Sequence, residues 1–255
     1  MAGKRYPKSW DFVDGELILD GHFTADEIWA HLLRIGVSPA KDVKVIKLTN
    51  VEKGVNQVGL ATFTSLEKIV IGSGVPRITP FMFDVDWETT DEYGTTKIRQ
   101  AFHKLREIDC GGVSYIEPYT FWRLPITKVT IGDNCRIGSR AFLECKSLKE
   151  VVLGKDCVIS ERVFSGCPIE FLALNSGCGL FTSALSGMKQ LKKLQVYEDV
   201  KIDGRPMDRT QTVNLIKINK NGKIDMVEKA NNYDIYAHLS TSRVQPTKDI
   251  QLFNK

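Results

Sequence analysis

A chain of 255 residues, 42% apolar and 26% charged, has the length to bury a full core and the composition of an ordinary folded protein. Its formal net charge of +4 lies entirely in residues 201–255, with ten Lys/Arg against six Asp/Glu, whereas residues 1–200 are balanced at 25 against 25. A neutral body lacks the basic stripe of a nucleic-acid binder, and no stretch approaches the roughly 20 consecutive apolar residues of a membrane-crossing helix. Neither a nucleic-acid nor a membrane partner is therefore expected.

From the N-terminus, Lys4, Arg5 and Lys8 have no apolar run behind them, so the first residues do not read as a secretory signal. The segment Gly15 to Leu19 reads as a strand. Thr24 and Glu27 are spaced as a capping box, and Ile28, Trp29, Leu32 and Leu33 form one apolar helical face that Gly36 and Pro39 terminate. Residues 1–42 are thus expected to be an N-terminal strand–helix cap; an exposed docking helix is the alternative if that apolar face is free.

An internal repeat begins at Val43. The form L-x-x-I-x-I occurs at Val43/Ile46/Leu48, Leu66/Ile69/Ile71, Leu105/Ile108/Cys110, Ile126/Val129/Ile131, Leu148/Val151/Leu153, Ile169/Leu172/Leu174 and Leu191/Leu194/Val196. Successive copies start 23, 39, 21, 22, 21 and 22 residues apart. About eleven residues into each copy stands an aliphatic residue followed five positions later by Phe, at Val58/Phe63, Ile78/Phe83, Ile116/Phe121, Ile137/Phe142 and Ile159/Phe164; in the sixth copy Phe181 and Leu185 lack that spacing. Alternation directs Ile69 and Ile71 inward from a short strand, and the aliphatic/Phe pair returns to the core from the opposite wall. One copy cannot close its own apolar face. Seven stacked copies can, as a sheet roughly 30 Å long at a strand spacing of about 4.8 Å.

The stretch Ile137-Gly138-Ser139-Arg140-Ala141-Phe142-Leu143-Glu144-Cys145-Lys146-Ser147-Leu148 resembles the BspA-type leucine-rich repeat, I-G-x-x-A-F-x-x-C-x-x-L. The next copy keeps Phe164 and Cys167 but carries Ser160 and Val163 in place of Gly and Ala. The likeness spans about residues 43–196 and is strongest over 105–174. It implies a leucine-rich repeat solenoid, right-handed, with a parallel sheet of short strands and about seven repeats of 21–23 residues. It also implies adhesion and protein recognition, common on bacterial and protist surfaces.

The solenoid is expected over residues 43–200. Behind it, Asp203-Gly204-Arg205-Pro206 breaks the period, and two apolar runs around Asn221-Gly222 read as a β-hairpin. Residues 201–255 are accordingly a C-terminal hairpin and arm. The six cysteines fall into repeat slots: Cys145 and Cys167 in one, Cys135, Cys157 and Cys178 in another, and Cys110 at an inward strand position. None forms C-x-x-C, so buried reduced thiols are expected rather than a metal site.

No phosphate loop, H-E-x-x-H or assembled nucleophile and base is present among these residues. No catalytic residue, metal or cofactor is expected, and the chain reads as a non-enzymatic scaffold for a protein partner. A structural subunit of a larger assembly such as a virion is the alternative; a metal-dependent enzyme using Asp84, Asp86 and Glu88 is a third, weaker one. The location expected is cytoplasmic or virion-associated. Two features carry function. One is the insertion at about 84–101 inside the 39-residue interval, which brings Trp87, Glu88 and Tyr93 as partner contacts, or else folds back as cover. The other is the outward face of the strands. There Lys68, Glu107, Lys128, Glu150, Phe171 and Lys193 succeed one another in one row, and Glu67, Arg106, Thr127, Lys149, Glu170 and Lys192 in the next. Alternating charges suit either a recognition face or a self-neutralising surface; Phe171 breaks the alternation.

Overall fold

The computed structural model describes residues 8–51, 60–83 and 102–239. The expected insertion contacts Trp87, Glu88 and Tyr93 lie outside the described residues, as do Val58 and the last sixteen residues.

The described chain winds as a β-solenoid of about seven turns, with strands in a front wall and, among the described residues, six shorter strands in a back wall. The front wall takes β2 (Glu16–Asp20), β3 (Val45–Thr49), β4 (Lys68–Ile71), β6 (Glu107–Cys110), β8 (Lys128–Ile131) and β10 (Glu150–Leu153), paired in parallel in that order. The back wall is a six-stranded sheet of β5 (Arg77–Ile78), β7 (Tyr115–Ile116), β9 (Arg136–Ile137), β11 (Val158–Ile159), β13 (Gly179–Phe181) and β15 (Lys201–Asp203). Pairing runs in register, so Ile78, Ile116, Ile137, Ile159, Leu180 and Ile202 form one buried column. Beyond it the rings of neighbouring turns meet in a row, Phe83 edge to face with Phe121 at 5.2 Å, and Phe121, Phe142 and Phe164 stacked at 4.9 and 5.3 Å between centroids. Such contacts add a geometric preference to the large apolar area each ring buries.

The sixth copy is more regular than the sequence suggests. Leu180 and Leu185, five apart, occupy the buried aliphatic and Phe slots, and Phe181 faces outward. The spacing recurs once more at Ile202 and Met207, both buried. Across the long interval β4 pairs directly with β6, Lys68 opposite Glu107. The buried rings of Phe83 and Phe102 meet edge to face at 5.4 Å.

At the N-terminal end the strand expected over 15–19 is β2, and Thr24 caps α1 (Ala25–Arg34) through a capping box with Glu27. Ile28 and Leu32 of the apolar face of α1 are buried in the common core, whereas Leu33 is 57% exposed. A strand absent from the sequence reading, β1 (Ser9–Val13), pairs antiparallel with β2. A short helix, α2 (Pro39–Asp42), follows α1. At the other end the expected hairpin is present as β16 (Thr212–Ile218) and β17 (Ile224–Asn231), followed by a closing helix, α3 (Asn232–Leu239). The hairpin is joined to the solenoid: β16 pairs in parallel with β14 (Lys193–Tyr197), and Val213 and Leu215 enter the core. Asn232 closes the back wall, accepting from the Met207 amide at 3.0 Å and donating to the Met207 carbonyl at 2.7 Å.

One expectation fails. The front wall is not a single sheet, because β10 and β12 (Phe171–Leu174) are neighbours without a shared ladder, and β12, β14, β16 and β17 form a separate four-stranded sheet. Elsewhere each turn bonds the next in a repeated way: the amides of Lys149 and Glu150 donate to the Thr127 carbonyl, and those of Lys192 and Lys193 to Glu170. No such bond joins Glu170 or Phe171 to Lys149. The back wall stays closed at the same level, Val158 pairing with Gly179.

A glycine stands one residue past each of β4, β6, β8 and β10, and at Gly132 and Gly154 the preceding turn lies so close that a Cβ would meet its backbone at 2.0 and 2.4 Å. One residue past β12 that place is held by Asn175. Its Nδ2 instead donates to the Leu153 carbonyl at 2.6 Å, satisfying one acceptor that the open ladder leaves.

Candidate functional site: the opening in the front wall

Most of the front face is a self-neutralising surface. Lys47 pairs with Glu16 at 2.6 Å, Lys68 with Glu107 at 3.0 Å, Lys128 with Glu150 at 2.7 Å and Lys192 with Glu170 at 2.9 Å, each between adjacent strands. These groups are well exposed, so the pairs set surface charge more than stability. Accepting from Lys128, the Glu150 carboxylate pulls the Lys128 ammonium above its usual range.

The alternation stops where the wall opens. Val152 is 45% exposed on one side of the gap and Phe171 47% on the other. Between them lies a groove of about 330 Å³ lined by Lys149, Val151, Val152, Phe171, Ala173 and Asn175. Val151, at an inward strand position, is only half-buried here, whereas the equivalent Val129 and Leu172 are fully buried. The groove therefore combines an apolar floor and rim with unpaired strand edges on both sides. Its volume suits one or two apolar side chains of a partner, with polar backbone groups at hand to orient them. Phe171 was singled out in the sequence by its interruption of a charged row. Val152 was missed, because its exposure follows from the opening and not from its own repeat position.

The cysteines offer no competing site. All six are free and buried, and four of the thiols donate to carbonyls of the preceding turn: Cys145 to Phe121 at 3.0 Å, Cys167 to Phe142 at 3.1 Å, Cys157 to Gly132 at 3.2 Å and Cys178 to Gly154 at 3.5 Å. Burial pushes the Cys135 thiol up to about 12 and those of Cys110 and Cys145 well above the ordinary range. In the Cys157–Cys178 pair the shared hydrogen bond favours thiolate at Cys157 and raises Cys178. Among the described residues, no cluster of three or more His, Cys, Asp or Glu forms a metal-binding group, and no helix is long and apolar enough to cross a membrane.

Residues 100–192 match the BspA type leucine rich repeat region, in six copies. Stacked repeats of this kind present extended surfaces suited to protein interaction. Among solved structures, a leucine-rich repeat protein from Bacteroides ovatus ATCC 8483 is 11% identical, with 82% of this chain and 77% of that one covered and a TM-score of 0.33. A leucine rich cell surface protein from Faecalibacterium prausnitzii A2-165 is 12% identical, covering 86% of this chain and 76% of its own, with a TM-score of 0.31. No curated protein matches the chain. The family match supports the repeat and carries nothing for a virion role.

Proposed function

We propose that this protein is a scaffold that holds a protein partner at the opening in its front wall, with Phe171 and Val152 as the apolar contacts. The observation that carries this is the coincidence of three departures at one level of the stack: an unpaired ladder, a half-open core position at Val151, and two exposed apolar side chains in an otherwise charged face. A regular solenoid has no structural need for any of them. Aromatic side chains flanking a small apolar groove are frequent anchors of protein interfaces. In the same proposal the insertion at about 84–101 supplies further contacts through Trp87, Glu88 and Tyr93, since loops on a rigid repeat body are common places for recognition.

The test compares recovery of interacting proteins from the source cells by the wild type, by Phe171→Ser/Val152→Ser and by a deletion of residues 85–100. A partner bound in stoichiometric amount by the wild type and lost with the double substitution, which touches only exposed groups, supports the groove. Equal recovery by both removes it. Loss with the deletion alone assigns recognition to the insertion.

A further inference from the structure

The last strand of the front wall has an open edge. β17 pairs with β16 on one side, and among the described residues no strand lies on the other. The direction of its free backbone groups follows from the ladder. The Asn214 amide donates to the Lys192 carbonyl, so Asn214 addresses β14 and not β17. Lys229 stands opposite Asn214 and therefore turns its own N–H and C=O away from β16; by the alternation of an antiparallel strand, Val227 does the same. Asn231 is already engaged at its amide by Asp234 Oδ2, at 2.9 Å, and Asp225 lies at the bulge where the ladder shifts between Lys217 and Ile218, which leaves a regular free edge at Val227 and Lys229. Val227 is 61% exposed, and Asp225 and Lys229 beside it are exposed and in no ion pair with a described residue.

From this edge we infer that β17 is a self-association surface whose partner is a second copy of the same chain, joined antiparallel about a two-fold axis through Val227. In that register Val227 meets Val227 of the second copy in a reciprocally hydrogen-bonded pair. Asp225 then falls opposite Lys229 of the second copy, and Lys229 opposite Asp225, so one symmetric contact makes two ion pairs. The alternatives are worse. Shifting by one pair in one direction sets Lys223 against Lys229, and in the other leaves Asp225 opposite Asn231 without a cation. The sequence Asp225-Met226-Val227-Glu228-Lys229 is thus self-complementary in charge at the register that the free backbone groups also demand. The joined molecule has one continuous eight-stranded front sheet at the seam, and an otherwise exposed edge is covered.

A strand pair alone buries less than a standard interface of about 1,200–2,000 Å², so association is expected to be reversible and concentration-dependent. Mass measured by sedimentation equilibrium on the full chain should rise from monomer towards dimer with concentration. Val227→Lys, which sets two cations on the axis, should leave the monomer. Lys229→Asp, which replaces both ion pairs by repulsion, should weaken association about tenfold, and Asp225→Lys/Lys229→Asp should restore it. A wild type that stays monomeric at every concentration overturns the inference. So does a wild type that dimerises equally well with Val227→Lys, or one that dimerises only when cut after Leu239, since its own tail then occupies the edge.

Discussion

Asn175 donates from Nδ2 to the Leu153 carbonyl across 2.6 Å, at the level where the ladder between β10 and β12 is open. The contact replaces what a glycine in that place allows elsewhere, the close stacking of Gly132 on Gly111 and of Gly154 on Gly132. Asn175→Gly is therefore expected to let β12 close onto β10. Hydrogen exchange should show slower amides at Glu170 and Phe171 than in the wild type, and partner binding at the groove should fall. Unchanged exchange would show that the opening has another cause.

The stacked rings and the groove aromatic differ sharply in what they contribute. Phe142 is fully buried between Phe121 and Phe164, and Phe142→Ala should cost about 3–5 kcal/mol through lost burial and a cavity. Phe171→Ala removes a half-exposed ring and should stay within about 0.5 kcal/mol. Denaturant unfolding of both variants decides the comparison, and a large loss for Phe171→Ala would make it a packing residue.

The thiols should be silent in the folded protein. At neutral pH iodoacetamide is expected to leave all 6 cysteines unmodified in the native chain and to modify all of them after unfolding, by mass. Burial and raised pKa act in the same direction at Cys110, Cys135 and Cys145. Under partial denaturation Cys157 should react first, because the hydrogen bond from Cys178 favours its thiolate. A native chain labelled at several positions would contradict the burial.

The capping box predicts an acid-sensitive contribution at the N-terminal end. The Lys8 ammonium and the Thr24 amide, both bonded to the Glu27 carboxylate, hold its pKa below the usual value. A depressed carboxylate stabilises the folded state above its unfolded pKa, and that contribution is lost as pH falls through the folded one. The stability difference between wild type and Glu27→Gln should therefore shrink from neutral to acidic pH. Thr24→Ala, which removes the hydroxyl accepting from the Glu27 amide, should cost about 1 kcal/mol at neutral pH. Thermal unfolding across a pH series measures both.

The repeat was legible in the chain itself because it rests on spacing. From Ile116 and Phe121 onward the slots of Ile137 and Phe142 recur every 21 or 22 positions, and an apolar side chain there has only the common core to enter. The same regularity made Phe171 conspicuous in a row of charges and located the capping box, whose two hydrogen bonds are local. Sequence reasoning could not see β1, which has no repeat partner and is defined by its pairing with β2. Nor could it see the opening beside Phe171. That feature falls where Asn175 takes the place held by Gly132 and Gly154 in earlier turns, at which a Cβ would come within 2.0–2.4 Å of the preceding backbone, a closeness that exists only between stacked turns. Periodic burial is written residue by residue; the register and closeness of stacked turns arise only when the chain has folded.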